Sequence, residues 1–514
     1  MLNFALILVV AVSCMAYEPV GSTEPPVLPP NIPAAELPSP AAGGRYLWVD
    51  QGHLASRDTN PGTQERPWRS IRHAITVAQP GDVVVIRAGT YRERLELSRG
   101  GIPGRPLTLA AFPGDAVTVS GADVVSDWRA EGSLWWTPWT LSLPVRYPSG
   151  PNRPSDEYRF AARREQVIQD GRLLDQVARR EDLRLGSFWV QGTDERPERI
   201  YVMSEKSPAQ SVMELSTRER LLEAYAGVAH LNLIGLTFRH STSRIQDRAV
   251  KIWGDNSLVQ NVTVEWTNAV GIGVSGLNNT IRRSVSRHNG QMGWGGDCEG
   301  CVYEDVQSIG NNWKFYDPFW EGGGGKFTGS KNLVFRRFFS ADNDGPGLWF
   351  DETNESHVVE DSRFERNLIA GVKLELNAQN ITVQRNRIRG TRFFLFNGDG
   401  IEILASQRNR ILNNTITGSE GAGISLAYDE NRRVESPGNQ ILGNTLVANR
   451  TSVWFRNNLS SELGANRFDE NTYWQSGTFF RLEVGGSFWQ GNDIGEWRRR
   501  IGSDENSRIE NPNP

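Results

Sequence analysis

Between Leu231 and the C-terminus one short pattern keeps returning, a glycine followed by alternating residues of which every second one is apolar. Gly271-Ile272-Gly273-Val274, Gly347-Leu348-Trp349-Phe350, Gly371-Val372-Lys373-Leu374, Gly400-Ile401-Glu402-Ile403 and Gly423-Ile424-Ser425-Leu426 share it. Gly293-Trp294 and Gly324-Gly325-Lys326-Phe327 are looser copies. The copies recur every 22 to 31 residues or so, the range in which each repeat is one supersecondary unit stacked on the next. Most are preceded by an Asn-rich turn, as in Gln384-Arg385-Asn386-Arg387-Ile388 and Leu412-Asn413-Asn414-Thr415-Ile416. Asn tolerates left-handed backbone and stacks in ladders, which suits a turn repeated in register. Leucine-rich repeats have similar periods, but their consensus is absent. The pattern predicts an all-β fold, a right-handed parallel β-helix.

A stack of this kind exposes core at its ends unless it is capped. Trp68, Ile71, Ala74, Ile75 and Ala78 fall at helical spacing and predict a short capping helix. Pro80-Gly81-Asp82 stops it, and Val83-Val84-Val85-Ile86 reads as a buried strand. Residues 125–228 break the rhythm; Trp135-Trp136, Phe188-Trp189-Val190 and Ile200-Tyr201-Val202 read as strands of an inserted β-rich lobe, with a hairpin turn at Asp170-Gly171. The expected organisation is a leader over 1–16, a proline-rich linker over 17–44, the cap and first rungs over 45–124, the inserted lobe over 125–228, and the main helix with its C-terminal cap over 229–514.

The apolar run Phe4 to Val12 is too short to span a bilayer and suits a signal peptide. Ala11-Val12-Ser13-Cys14 loosely resembles a lipobox, so the chain is expected to be exported, by cleavage near Ala16 or with lipid on Cys14 anchoring it to a membrane. Apart from Cys14 only Cys298 and Cys301 remain, and in an exported protein this spacing points to a local disulfide or two thiols before a zinc site. A net charge of −4 offers no basic surface for nucleic acid.

Alternation along a strand sends Leu348 and Phe350 inward and Trp349 and Asp351 outward. With the rungs aligned on their glycines, one outward column reads Gly273, Gly295, Lys326, Trp349, Lys373, Glu402, Ser425. The next reads Ser275, Asp297, Thr328, Asp351, Glu375, Leu404, Ala427. Asp351 and Glu375 thus become neighbours one strand apart, about 4.8 Å. Carboxyl pairs about 5 to 5.5 Å apart are the geometry of retaining glycosidases, and crowding raises one of the two pKa values. Lys326 and Lys373 stand on the adjacent column, able to hold the other carboxylate ionised. Asp297 and Glu402 are read as groove lining, Trp349 as a platform for a sugar ring, and the loop Asn311 to Gly323, with Trp313, Trp320 and Glu321, as a groove wall.

Two segments resemble known families. Pro61-Gly62-Thr63, Pro67-Trp68 and Gly89-Thr90-Tyr91-Arg92-Glu93 resemble the opening of secreted β-helix polysaccharide enzymes, which are pectate-lyase-like solenoids. The rungs Gly324-Gly325-Lys326-Phe327, Gly347-Leu348-Trp349-Phe350-Asp351 and Val372-Lys373-Leu374-Glu375 resemble the active-site rungs of the β-helix β-xylosidases. That resemblance implies Asp351 as nucleophile, Glu375 as acid/base, an oligo- or polysaccharide substrate and no required cofactor. Two other classes stay open. One is a polysaccharide lyase or uronate C5-epimerase with Lys326 or Lys373 as base, Arg282, Arg283 or His288 nearby, and Ca²⁺ as a charge neutraliser. The other is a carbohydrate-binding β-helix without catalysis.

Overall fold

The computed structural model describes residues 36–145, 162–474 and 477–510. The leader, Cys14 and most of the proline-rich segment lie outside the described residues. Three sheets, each of 13 strands, wrap around one core as a right-handed parallel β-helix. Each rung contributes one strand to each face in turn. Leu231–Ile234 lies on the first face, Leu236–Arg239 on the second and Arg248–Ile252 on the third. The third face then continues through Val270–Val274, Met292–Gly296, Gly323–Thr328, Leu348–Asp351, Ala370–Glu375, Asp399–Leu404, Ala422–Ala427 and Thr451–Asn458. Its inward residues, among them Ile272, Trp294, Phe327, Leu348, Phe350, Val372, Leu374, Ile401 and Ile403, join one continuous apolar core.

The glycine that heads each copy of the repeat has a steric cause. A Cβ built on Gly293 would lie 2.7 Å from Gly324 O, on Gly324 2.4 Å from Gly347 O, on Gly347 2.7 Å from Gly371 O, and on Gly371 2.7 Å from Gly400 O. Each rung lays its backbone where the side chain of the rung before it would stand. Within each Asn-rich turn the two expected uses of asparagine fall on adjacent positions. Between the first and second faces the chain turns on one left-handed residue, such as Arg385 (φ 54°) or Asn413 (φ 55°). The asparagine that follows is buried, and Asn386 donates to Asn414 at 3.0 Å, Asn414 to Asn444 at 3.0 Å, and Asn444 to Asn471 at 3.2 Å. A second ladder, at the corner before the third face, runs Asn289, Asn311, Asn343, Asn367 at 3.0, 2.9 and 2.8 Å.

The helix Ile71–Val77 buries Ile71, Ala74 and Ile75 against the first rungs, with the Ser70 side chain accepting from His73 N. At the other end, Ile494–Ile501 buries Trp497 and Ile501 and ends on left-handed Gly502. The last strand of the third face, Ser487–Gly491, pairs antiparallel and closes that edge. Two small sheets form a lobe from Ala122 to Ser216. The lobe enters and leaves within one turn of the solenoid, because Leu95–Leu97 pairs directly with Leu222–Ala224 across it. Its hairpin pairs Ile168 with Leu173 around Asp170 and Gly171, both of positive φ as a tight hairpin requires. The end of the proline-rich segment is docked: Leu37 packs beside Val83, Val85 and Ala110, and Ala41 N donates to Gly81 O at 3.0 Å. Cys298 and Cys301 are joined as a disulfide, buried in the core. No helix among the described residues is long and apolar enough to cross a membrane.

Candidate active site

Strand pairing on the third face puts Gly273, Gly295, Lys326, Trp349, Lys373, Glu402 and Ser425 in one outward column. In the next, Thr328 pairs with Asp351 and Glu375 with Leu404. Because Phe350 pairs with Leu374, Asp351 and Glu375 occupy consecutive rungs, about 4.8 Å apart along the axis. Their side chains are 11% and 13% exposed, so both reach the surface while being largely stripped of water.

The two carboxyls have different surroundings. Asp351 Oδ2 lies 2.7 Å from Lys326 Nζ, and its Oδ1 is buried without a hydrogen-bond partner. Lys326 is itself held in place, donating to Trp320 O at 2.5 Å and standing 3.9 Å above the Trp349 ring. Glu375 Oε2 lies 3.2 Å from Lys373 Nζ, yet burial drives the Glu375 pKa above the ordinary glutamate value; Lys373 opposes the shift, and Asp351 and Glu402 add to it. Burial alone would depress the Lys373 ammonium, but Glu375, Glu402 and Asp351 around it outweigh that and raise its pKa. Lys373 is thus a shared counter-charge, 3.7 Å from Glu402 Oε2 as well.

Glu402 belongs to a second cluster that the sequence reading missed. Asn397 donates to Glu402 Oε1 at 2.5 Å, and Arg456 reaches Asp399 Oδ2 at 2.6 Å and Glu402 Oε1 at 3.5 Å. Asp399 is fully buried and also accepts from Ser425 Oγ at 2.6 Å and Ala422 N at 2.7 Å. A signal for Arg456 existed. It pairs with Ala427, so the column through Asp351 and Glu375 reaches it one rung beyond where that reading stopped. Arg432 was missed too. It donates to Asp429 at 3.0 Å, and its pKa is raised by that bond against partial burial, with Asp429, Glu375 and Asp351 adding smaller pulls.

Several residues read as groove lining lie beneath the surface instead. Trp349 is 1% exposed, sandwiched between Lys326 and Lys373 (3.9 and 4.6 Å from its ring), and leaves no face for a sugar. Lys373 and Glu402 are equally covered. Glu321 is fully buried with neither carboxyl oxygen hydrogen-bonded, so it cannot touch a ligand. Two long corners reach these columns: Trp320 O of the first accepts from Lys326, and Asn397 of the second donates to Glu402. Phe319 of the first stacks on Phe394 and Phe396 of the second at 5.9 and 4.8 Å, joining the two corners. Trp313 packs away from the pair, 6.5 Å from Trp266, while Trp320 is half-buried and Asp297 is exposed, accepting from Ser275 Oγ. His288 stacks on Trp266 at 4.7 Å, on another part of the surface. Among the described residues no three His, Cys, Asp or Glu side chains are grouped to hold a metal ion.

Burial pushes the Glu321 pKa up to about 8 against the pull of Lys326. An unfolded glutamate releases its proton near pH 4.3 or so. Folding therefore requires Glu321 to keep a proton it would otherwise lose, and stability falls as pH rises from that value through about 8. Glu321→Gln is expected to raise the free energy of unfolding at pH 8, by up to about 4 kcal/mol, and with it the denaturation midpoint, and to leave both unchanged at pH 4. Equal midpoints at pH 8 would show that this carboxyl is solvated or paired.

The right-handed beta helix region family matches residues 248–397 and 385–494. A domain of unknown function, DUF1565, matches residues 54–96. A curated relative, uncharacterized protein YwoF of Bacillus subtilis (strain 168), is 37% identical over 83 residues, covering 16% of this chain and 17% of that protein. Among solved structures, the complex of XylC with xylose superposes with a TM-score of 0.68 at 14% identity, covering 90% of this chain and 86% of that one. A glycoside hydrolase gives a TM-score of 0.49 at 13% identity, over 90% and 99% of the two chains. The A-module of the Azotobacter vinelandii mannuronan C-5 epimerase AlgE6 gives 0.47 at 14% identity, over 91% and 100%. At 14% identity the likeness to the XylC complex is one of fold.

Proposed function

We propose that this chain is an exported carbohydrate-active enzyme, a retaining glycoside hydrolase with Asp351 as nucleophile and Glu375 as acid/base. One observation carries the reading: two carboxyls on consecutive rungs are treated oppositely, Asp351 given a fixed cation at 2.7 Å and Glu375 pushed toward its protonated form by burial. That division is what a double displacement needs. Glu375 passes its proton to the glycosidic oxygen as the bond to the anomeric carbon breaks, and Asp351 closes on that carbon to form a glycosyl ester. The Glu375 carboxylate then takes a proton from water, which displaces Asp351 and restores both groups. The chemistry draws on the two carboxyls and their lysines alone. The superposition on the XylC–xylose complex agrees with this reading in fold.

The lyase reading is disfavoured by the same geometry. A base must be able to give up its proton near neutral pH, whereas Lys373 is raised in pKa by the acidic groups Glu375, Glu402 and Asp351 and Lys326 is committed to Asp351. Product analysis separates the classes. Hydrolysis releases reducing sugar whose first-formed anomer, read by NMR, retains the substrate's configuration. Absorbance from an unsaturated uronate would establish a lyase, and inversion would remove Asp351 as nucleophile.

The pH profile follows from the direction of the Glu375 shift. The acid form persists to higher pH than for an ordinary glutamate, and kcat/KM is lost as pH rises through that raised pKa. Glu375→Gln is expected to abolish this alkaline limb in whatever activity remains. An unchanged limb would assign it to another group.

A further inference from the structure

The column that holds the two carboxyls continues upstream into an open, aromatic-lined stretch. Trp253 follows Ile252, which pairs with Val274, and Tyr225 follows Ala224, which pairs with Ile252. Tyr225, Trp253, Ser275, Asp297, Thr328 and Asp351 therefore succeed one another at the same register position. Trp253 is 41% exposed and Tyr225 38%, in contrast to the covered Trp349. Each has one anchor: Lys251 Nζ lies over one face of the Trp253 ring, 4.8 Å from its centre, and is held by Asp247 at 2.6 Å, and Tyr225 Oη donates to Glu96 at 3.1 Å. The neighbouring column is emptied by Gly273 and Gly295. Arg248 lies along that gap, its Cγ 2.7 Å from where a Gly273 Cβ would be and its Nη2 3.9 Å from that of Gly295. Arg248 Nη1 donates to Gln246 O at 2.9 Å, and across the gap stand Ser275 and Asp297.

We infer that this stretch is a chain-binding track, with Trp253 and Tyr225 as stacking platforms for sugar rings of an unbranched oligosaccharide whose scissile end lies at Asp351 and Glu375. The inference rests on the proposed glycosidase reading and adds to it the substrate's length and direction. Trp253 is four rungs from Asp351, about 19 Å, so a chain lying along the axis reaches it only after several sugar units. Between the two ends the column carries only Ser275, Asp297 and Thr328, none of them bulky, and Arg248, Ser275 and Asp297 offer hydrogen-bonding groups to ring hydroxyls. An aromatic ring presenting a free face, with polar groups beside it, is how a protein holds an amphipathic ligand without a deep pocket.

The test compares wild type, Trp253→Ala and Trp253→Phe on an aryl monoglycoside and on xylo-oligosaccharide and oligogalacturonide ladders from disaccharide to hexasaccharide. In wild type kcat/KM is expected to climb with length up to the chain that reaches Trp253. Trp253→Ala is expected to lose about tenfold on the longest chains, as expected for one lost stacking contact, with no loss on the disaccharide. Trp253→Phe is expected to keep most of the gain. A wild-type rate independent of length, or a loss in Trp253→Ala that is equal at all lengths, overturns the track and leaves the glycosidase reading standing. Absence of turnover of every glycan by wild type removes that reading and this inference with it.

Discussion

Asp351→Asn is expected to abolish turnover on every glycoside, whereas Glu375→Gln spares substrates whose leaving group needs no proton. The asymmetry follows from the assigned roles. Asn cannot form the glycosyl ester, so even an activated aryl glycoside has no path. Gln cannot donate a proton, but an acidic phenol leaves without one, and the burst of phenol then gives way to a slow second step for want of a base. On an unactivated disaccharide both variants are expected to lose at least about a thousandfold, some 4 kcal/mol of barrier. Neither change is expected to unfold the protein, since both side chains reach solvent and the strands are held by backbone pairing. Full activity of either variant, with its circular dichroism unchanged, would end the catalytic assignment.

The largest effect on stability is expected at Asn343, in the middle of a buried ladder. Its amide nitrogen donates to Asn367 Oδ1 at 2.8 Å, Ser340 Oγ at 3.0 Å and Ser308 O at 3.1 Å, and its carbonyl accepts from Asn311 N and Nδ2, both at 2.9 Å. Leu is close in size but meets none of these groups. Asn343→Leu leaves Asn311 N and Ser308 O without their side-chain partner inside the protein, and each buried group left unmet costs about 1 to 3 kcal/mol. A loss of about 3 to 5 kcal/mol in urea denaturation is expected on that basis. The same change at exposed Asp342, one residue earlier, is expected to cost far less, because its partner Arg366 is partly solvated. If the two variants unfold at the same urea concentration, the ladder is not a source of stability.

Much of this was readable without coordinates, for definite physical reasons. A glycine heads the repeat because the next rung's carbonyl occupies the place of its Cβ, as at Gly347 and Gly371. That requirement is written into the sequence, and it brings the register with it. Once the glycines are aligned, two-residue alternation assigns Asp351 and Glu375 to consecutive rungs without further information. What stayed hidden depends on segments with no period. Trp349 is covered because Lys326 and Lys373 stand over its ring, and Lys326 is pinned there by Trp320 O from the aperiodic loop, which no local pattern encodes. Glu321 looked like a groove residue because acidic loop residues are usually solvated, whereas its loop folds it fully inside. The two uses of asparagine, left-handed turn and stacked ladder, were recognised, but not that they fall on different residues, as Asn413 turns and Asn414 stacks.

The unequal lengths of the rungs have one further consequence. The extra residues collect at corners, in 311–322, 390–398 and 428–437, while the paired segments of the third face keep their register across each of them. Insertions and deletions, which ordinarily ruin a sheet, are harmless at these points. A lineage carrying this architecture can therefore lengthen, trim or exchange its corners and so change which molecules gain entry, while the interval between the two carboxyls, set by backbone hydrogen bonds, is inherited intact.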